Sequence, residues 1–101
     1  MFGKLGDMMG KLQEMKQKAD EIKSKLNTVL LKSESAGGDI KIDITGNRCI
    51  RSINIASALQ HGDAHELQAQ LVAAVNKAIA AADQVNEEEM KQAASGMLPG
   101  L

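Results

Sequence analysis

The amino-acid sequence predicts a single α+β domain spanning 1–101 with the order α-β-β-β-α. A long N-terminal helix falls within residues 1–27, a three-stranded antiparallel β-meander within 28–55, a long C-terminal helix within 63–95 and a short tail at 96–101. Three observations lead there. From Leu5 to Val29 apolar residues recur at alternating spacings of three and four, the period of a helix with a narrow apolar stripe. Ile40 to Thr45 alternates apolar and polar side chains between two glycine-containing turns, as a half-buried strand does. An alanine-rich run with helical apolar period then begins after Asp63.

In the first helix, Leu5, Met8, Leu12, Met15, Ala19, Ile22, Leu26 and Val29 occupy the a and d positions of a heptad. Lys4, Lys11, Lys18 and Lys25 are then all g positions, and Lys16 and Lys23 are e positions. Gly3, Gly6 and Gly10 weaken the first turns by ~1 kcal/mol each relative to Ala, so the helix is expected to start between Lys4 and Asp7 and to end near Asn27. Asp7 with Lys11, Glu14 with Lys18 and Glu21 with Lys25 are expected as i,i+4 pairs. Two copies of the seam, parallel or antiparallel, would set lysine against lysine. The seam is therefore expected to pack on something else, such as the sheet or an acidic helix.

The first strand is expected over Thr28 to Ser35 and is followed by the turn Ala36-Gly37-Gly38-Asp39. In the second, Ile40, Ile42 and Ile44 face the core. Gly46-Asn47 makes a tight hairpin into a third strand, Cys49 to Ile55. Strict alternation puts Ile53 and Ile55 on one face with Cys49 and Arg51, and Ile50 on the other, which suggests that the outer face is also covered. After a connection, Asp63 reads as an N-cap with Glu66 three residues on. Leu67, Leu71, Val75, Ile79 and Ala82 form the buried row of the second helix, with Val72 and Ala78 beside it. Gly96 is expected to close that helix and Pro99 to prevent its resumption.

Composition bounds the function. Apolar residues make up 44% but Phe2 is the only aromatic, so the core is thin and a homo-oligomer is expected. The single Cys49 excludes an intramolecular disulfide and a multi-cysteine metal site. No signal peptide or membrane span is read in the chain, and a cytoplasmic protein is expected. Net charge is −1, but residues 1–32 hold seven lysines against four acids, while 63–101 hold six acids against two lysines. The chain is a charge dipole.

No catalytic constellation emerges. His61 and His65 stand at a metal-ligand spacing, but they straddle a helix start and read as exposed junction residues. Cys49, in a strand without a neighbouring base, reads as a buried structural thiol. Gly37-Gly38 lacks the Lys and Ser/Thr of a phosphate loop. No enzyme, cofactor, metal or small-molecule substrate is expected. The lysine rows have two readings: they solubilise the helix and cover its seam with their stems, or they meet phosphates. Lysines seven residues apart stand ~10.5 Å apart on a helix, and as point charges they read backbone rather than sequence. Without aromatics for base stacking, a duplex suits them better than a single strand.

The order of these pieces resembles the YbaB/EbfC family of bacterial nucleoid-associated proteins. The resemblance runs through Met1-Phe2-Gly3-Lys4, the stretch from Ala36 to Gly46, Ser52-Ile53-Asn54-Ile55, Leu67, Ala73-Ala74, Asn76-Lys77-Ala78 and Ser95 to Leu101. It implies a homodimer in which sheets and second helices join the subunits, the first helices project as tweezer-like arms, and duplex DNA of the nucleoid is the ligand. Ala56-Ser57 stands where that family often has Asp-Pro, and Arg51 where it is usually apolar. The family motifs assign no contact, so the candidate DNA-binding residues come from charge geometry: Lys4, Lys11, Lys16, Lys18, Lys23, Lys25, Arg48 and Arg51. The alternative is a homodimeric protein-interaction module that uses the apolar seam of the first helix.

Overall fold

The computed structural model describes the backbone of residues 2–97 and the side chains of residues 5–96. The described chain is an elongated body, 69 × 22 × 20 Å, with the expected α-β-β-β-α order and one added element. Helix α1 spans Phe2–Thr28, strands β1, β2 and β3 span Leu30–Glu34, Ile40–Thr45 and Ile50–Ile55, a short α2 spans Ser57–Gln60, and α3 spans Ala64–Met97. The strands form one antiparallel sheet in the order β1-β2-β3. Helix α3 lies mainly across β1 and β2.

The core sits between that helix and the sheet. Ile40, Ile42 and Ile44 are fully buried against Ala74, Ala78 and Ala82, and Leu67, Leu71, Val75 and Ile79 pack around them. Alanines on the contact face let the helix axis come close to the sheet, so the small residues form the buried row and the larger ones flank it. Val72, expected beside that row, is 62% exposed instead.

Several boundaries differ from expectation for identifiable reasons. Helix α1 begins at Phe2 despite its glycines, and it ends at Thr28, whose hydroxyl donates to the Lys25 carbonyl at 2.7 Å. Strand β1 accordingly begins at Leu30 rather than Thr28. The connection after β3 contains α2, which tucks Leu59 into the core. Asp63 caps α3 as expected, accepting the His65 backbone N–H at 2.9 Å. Glu66 does not complete a capping box; it accepts from Gln70 instead. Gly96 lies inside α3, which continues to Met97. The tail from Leu98 to Leu101 lies outside the described residues.

The largest correction concerns β3. A register shift at Asp43/Ile44 pairs Asp43 with Ser52 but Ile44 with Ile50, so Arg51 is an extra residue in the strand. The bulge rotates Ile50 onto the same face as Ile53, Ile55 and the β2 isoleucines. The opposite face of the sheet is mostly polar, carrying Lys32, Glu34, Lys41, Asp43, Ser52 and Asn54, with Leu30 exposed at its end. Ile50 and Ile53 face inward yet remain 38% and 41% exposed, because α3 does not extend over the β3 edge.

Candidate nucleic-acid interface

Helix α1 is an arm fixed at one end. Only about its last three turns are packed: Ile22 and Leu26 are buried and Ala19 is half-buried. The β2–β3 hairpin clamps this end. Gly46 donates its N–H to the carbonyls of Leu26 and Val29 at 3.1 Å, and the Asn47 amide donates to the Lys23 carbonyl at 2.6 Å and to Asn27 Oδ1 at 2.7 Å. Of these acceptors, the Leu26 carbonyl is one that a helix C-terminus leaves without an intrahelical partner. A Cβ on Gly46 would stand 2.8 Å from Leu26 Cδ2. Glycine is therefore required there for close approach.

The hairpin is a three-residue loop rather than the expected two-residue one. Arg48 takes the left-handed conformation, φ 67°, where glycine is usual. Its guanidinium Nε donates to Asp83 of α3. The turn thus ties both helices to the sheet.

N-terminal to Ala19 the apolar seam is exposed, although Glu14 and Lys18 still line a groove shared with Glu89, Gln92, Ala93 and Gly96 of α3. Leu5, Met8, Leu12 and Met15 are 52–62% exposed, so among the described residues most of the seam is left uncovered by the sheet and α3. It was expected to pack on the sheet or the acidic helix, but only its Ile22–Leu26 end does so. Lys11, Lys16, Lys18, Lys23 and Lys25 are all exposed along the rod. They are not equivalent. Lys25 Nζ lies 2.9 Å from Glu89 Oε1 of α3, and Lys18 lies 3.6 Å from Glu21. Neither contact is the expected i,i+4 pair: Lys25 leaves Glu21 for a partner across the α1–α3 groove. Among the described residues, Lys11, Lys16 and Lys23 take part in no ion pair. The side chain of Lys4 lies outside the described residues.

Arg51 is exposed at the bulge on the β3 edge, away from the arm, whereas Arg48 is committed to Asp83. The structure therefore gathers the lysines on one rod but does not bring the two arginines into that row. Sequence reasoning passed over Lys32 and Lys41, exposed on the polar face of the sheet. Each stands opposite an acid, Lys32 facing Asp43 and Glu34 facing Lys41, so that face has mixed charge. Cys49, expected to be buried, is exposed at the hairpin. Among the described residues no three His, Cys, Asp or Glu side chains converge as a metal site. No helix among the described residues is long and apolar enough to cross a membrane.

Comparison with known proteins gives this α+β platform and its lysine-lined helical arm a family. The profile of the YbaB/EbfC DNA-binding family matches residues 1–97. The chain is 42% identical over 76 residues to a nucleoid-associated protein of Flavobacterium johnsoniae, covering 75% of this chain and 71% of that one. It is 33% identical over 94 residues to a nucleoid-associated protein of Chlorobium limicola, covering 93% and 84%. The crystal structure of an uncharacterized protein of Helicobacter pylori, HP0035, superposes with a TM-score of 0.65 at 25% identity, over 86% of this chain and 98% of that one. The chain belongs to the YbaB/EbfC DNA-binding family.

Proposed function

We propose that this protein is a nucleoid-associated protein of the bacterial cytoplasm that binds double-stranded DNA through phosphate contacts made by the arm, with a role in nucleoid organisation or gene regulation. The observation that carries this reading is the exposed lysine set on a helix packed only at its base. Lys11, Lys16 and Lys23 are the leading contacts because no carboxylate among the described residues holds them. Lys4 extends the same row. Lys18, Lys25 and Arg48 would each have to exchange an acidic partner for a phosphate, and Arg51 stands apart on the β3 edge. Point charges, with no arginine on the arm to make a bidentate base contact, suit backbone contact with little base readout.

The same reading makes the protein a homodimer. Strand β3 is a sheet edge with an open row of backbone groups, and it presents Ile50 and Ile53 half exposed on the core side. Such an edge invites pairing. A second copy laid along β3 would cover those isoleucines and give two arms on one body. That pairing supports the tweezer arrangement.

The test is binding of two duplexes of unrelated sequence by the Lys11→Gln/Lys16→Gln/Lys23→Gln variant. Affinity is expected to fall about tenfold or more, to a similar extent on both duplexes. Unchanged affinity would remove the arm from the interface, and a loss confined to one duplex would remove the phosphate reading.

A further inference from the structure

The arm carries one surface unit three times. Met8-x-x-Lys11-Leu12, Met15-x-x-Lys18-Ala19 and Ile22-x-x-Lys25-Leu26 repeat apolar, lysine, apolar at heptad spacing on one side of α1. The third unit is occupied. Lys25 pairs with Glu89 at 2.9 Å, and Ala93, one turn further along α3, faces Ile22 across the α1–α3 groove. The second unit is half occupied: Lys18 lines the same groove and Ala19 is partly covered. The first is open, with Met8 and Leu12 both 62% exposed and Lys11 in no ion pair among the described residues.

The occupied unit defines what the open one accepts: a helix that offers an acid and, about one turn on, a small or flexible apolar side chain. The chain displays such a face a second time, pointing outward. On the C-terminal half of α3, Glu87, Met90 and Ala94 are exposed at i, i+3 and i+7. Glu88 adds a second exposed acid, against the single Lys91 nearby. The other exposed acid with small residues after it, Glu66, already accepts a hydrogen bond from Gln70. We infer that the free half of the arm, Met8 to Met15, docks on the Glu87–Met90–Ala94 face of a second copy of this chain.

This contact repeats between copies the acid-on-lysine, alanine-on-seam chemistry that the fold already uses within one copy. It differs from pairing along β3, since it joins an arm to a helix rather than two sheet edges. It also escapes the lysine-against-lysine clash that forbids arm-to-arm zippering. Lys16 and Lys23 lie on the other shoulder of the seam and stay free for a duplex. Arms that reach neighbouring copies would link protein molecules side by side.

The experiment uses two full-length chains in a Cys49→Ser background, distinguishable by mass and mixed without DNA. One carries Met8→Cys and the other Ala94→Cys, and a short bismaleimide cross-linker is added. A mixed cross-linked product is expected in excess of that formed when Met8→Cys is replaced by Gln17→Cys, on the far side of the arm. Adding Lys11→Glu and Lys18→Glu to the first chain should reduce the product about tenfold. Adding Glu87→Lys and Glu88→Lys to the second should then restore it. Yield equal to the Gln17→Cys control, or yield indifferent to both charge reversals, overturns the inference. Recovery by the paired reversal cannot come from a misfolded variant, so loss of folding is not mistaken for loss of contact. Because no DNA is present, failure here leaves the DNA reading untouched.

Discussion

At the residue scale, the turn at Gly46, Asn47 and Arg48 holds the arm in place. Gly46 is required because its Cα backs onto Leu26, and Gly46→Ala should cost about 1–3 kcal/mol through forced displacement of that helix end. A urea melt measures this; stability equal to wild type would mean that the α1 terminus moves freely. Arg48 is the opposite case, a non-glycine residue in a left-handed conformation stabilised by an ion pair to Asp83. Both members of that pair are nearly half exposed, so screening limits its worth to the ~0–1 kcal/mol of surface pairs. Arg48→Gly relieves the backbone strain, ~1 kcal/mol, while losing the pair. Its melt should therefore match wild type within about 1 kcal/mol. A loss beyond that would mean the guanidinium does more than pair with Asp83.

At the element scale, α1 is two helices in energetic terms. Its last turns are core and the rest is exposed. Leu26, fully buried, should cost about 2–5 kcal/mol when replaced by alanine, whereas Leu5→Ala, at a site 60% exposed, should change stability by less than about 0.5 kcal/mol. Equal losses in thermal or urea melts would mean that the arm is packed along its whole length. Gly6 and Gly10 have open space where a Cβ would go. Gly6→Ala with Gly10→Ala should stiffen the arm by about 1 kcal/mol per site, seen as slower amide hydrogen exchange confined to α1.

The heptad, the alternating β2, the glycine turns and the Asp63 cap were legible because each follows from local period or local hydrogen bonding. The occupancy of the seam was not, because periodicity reports which face is apolar and not how far a neighbouring element extends. The bulge at Arg51 was hidden for a related reason. One unpaired residue inverts the alternation, and only pairing with Asp43 and Ile44 reveals it. Cys49 was misjudged with it, since its strand assignment assumed an unbroken register. The lysine rows could be read as rows, but the partners that divide them, Glu89 for Lys25 and Glu21 for Lys18, depend on which helices meet.

At the scale of the whole molecule, a thin core is combined with two unfinished surfaces, the β3 edge and the arm. The first is the interface of the proposed homodimer. Ile53→Asp would place a charge in that interface while leaving an already half-exposed site soluble. Analytical ultracentrifugation is expected to show monomer for this variant and dimer for wild type; a variant that stays dimeric would move the interface elsewhere. On the proposed reading the second surface divides by shoulder: Lys16 and Lys23 serve the duplex alone, whereas Lys11 serves a duplex or, without DNA, the acids of a second copy. The net charge of −1 does not oppose this, because among the described residues Lys11, Lys16 and Lys23 of basic α1 take part in no ion pair with acidic α3.

The claim that the arm binds duplex DNA through phosphates is tested most directly by affinity measured across a salt series. Each phosphate contact contributes about 0.9 to the slope of log K against log salt. Wild-type protein should lose affinity steeply, and the Lys11→Gln/Lys16→Gln/Lys23→Gln variant should show a slope shallower by up to about 2.7 per arm. Affinity indifferent to salt, or identical slopes for the two proteins, would contradict it.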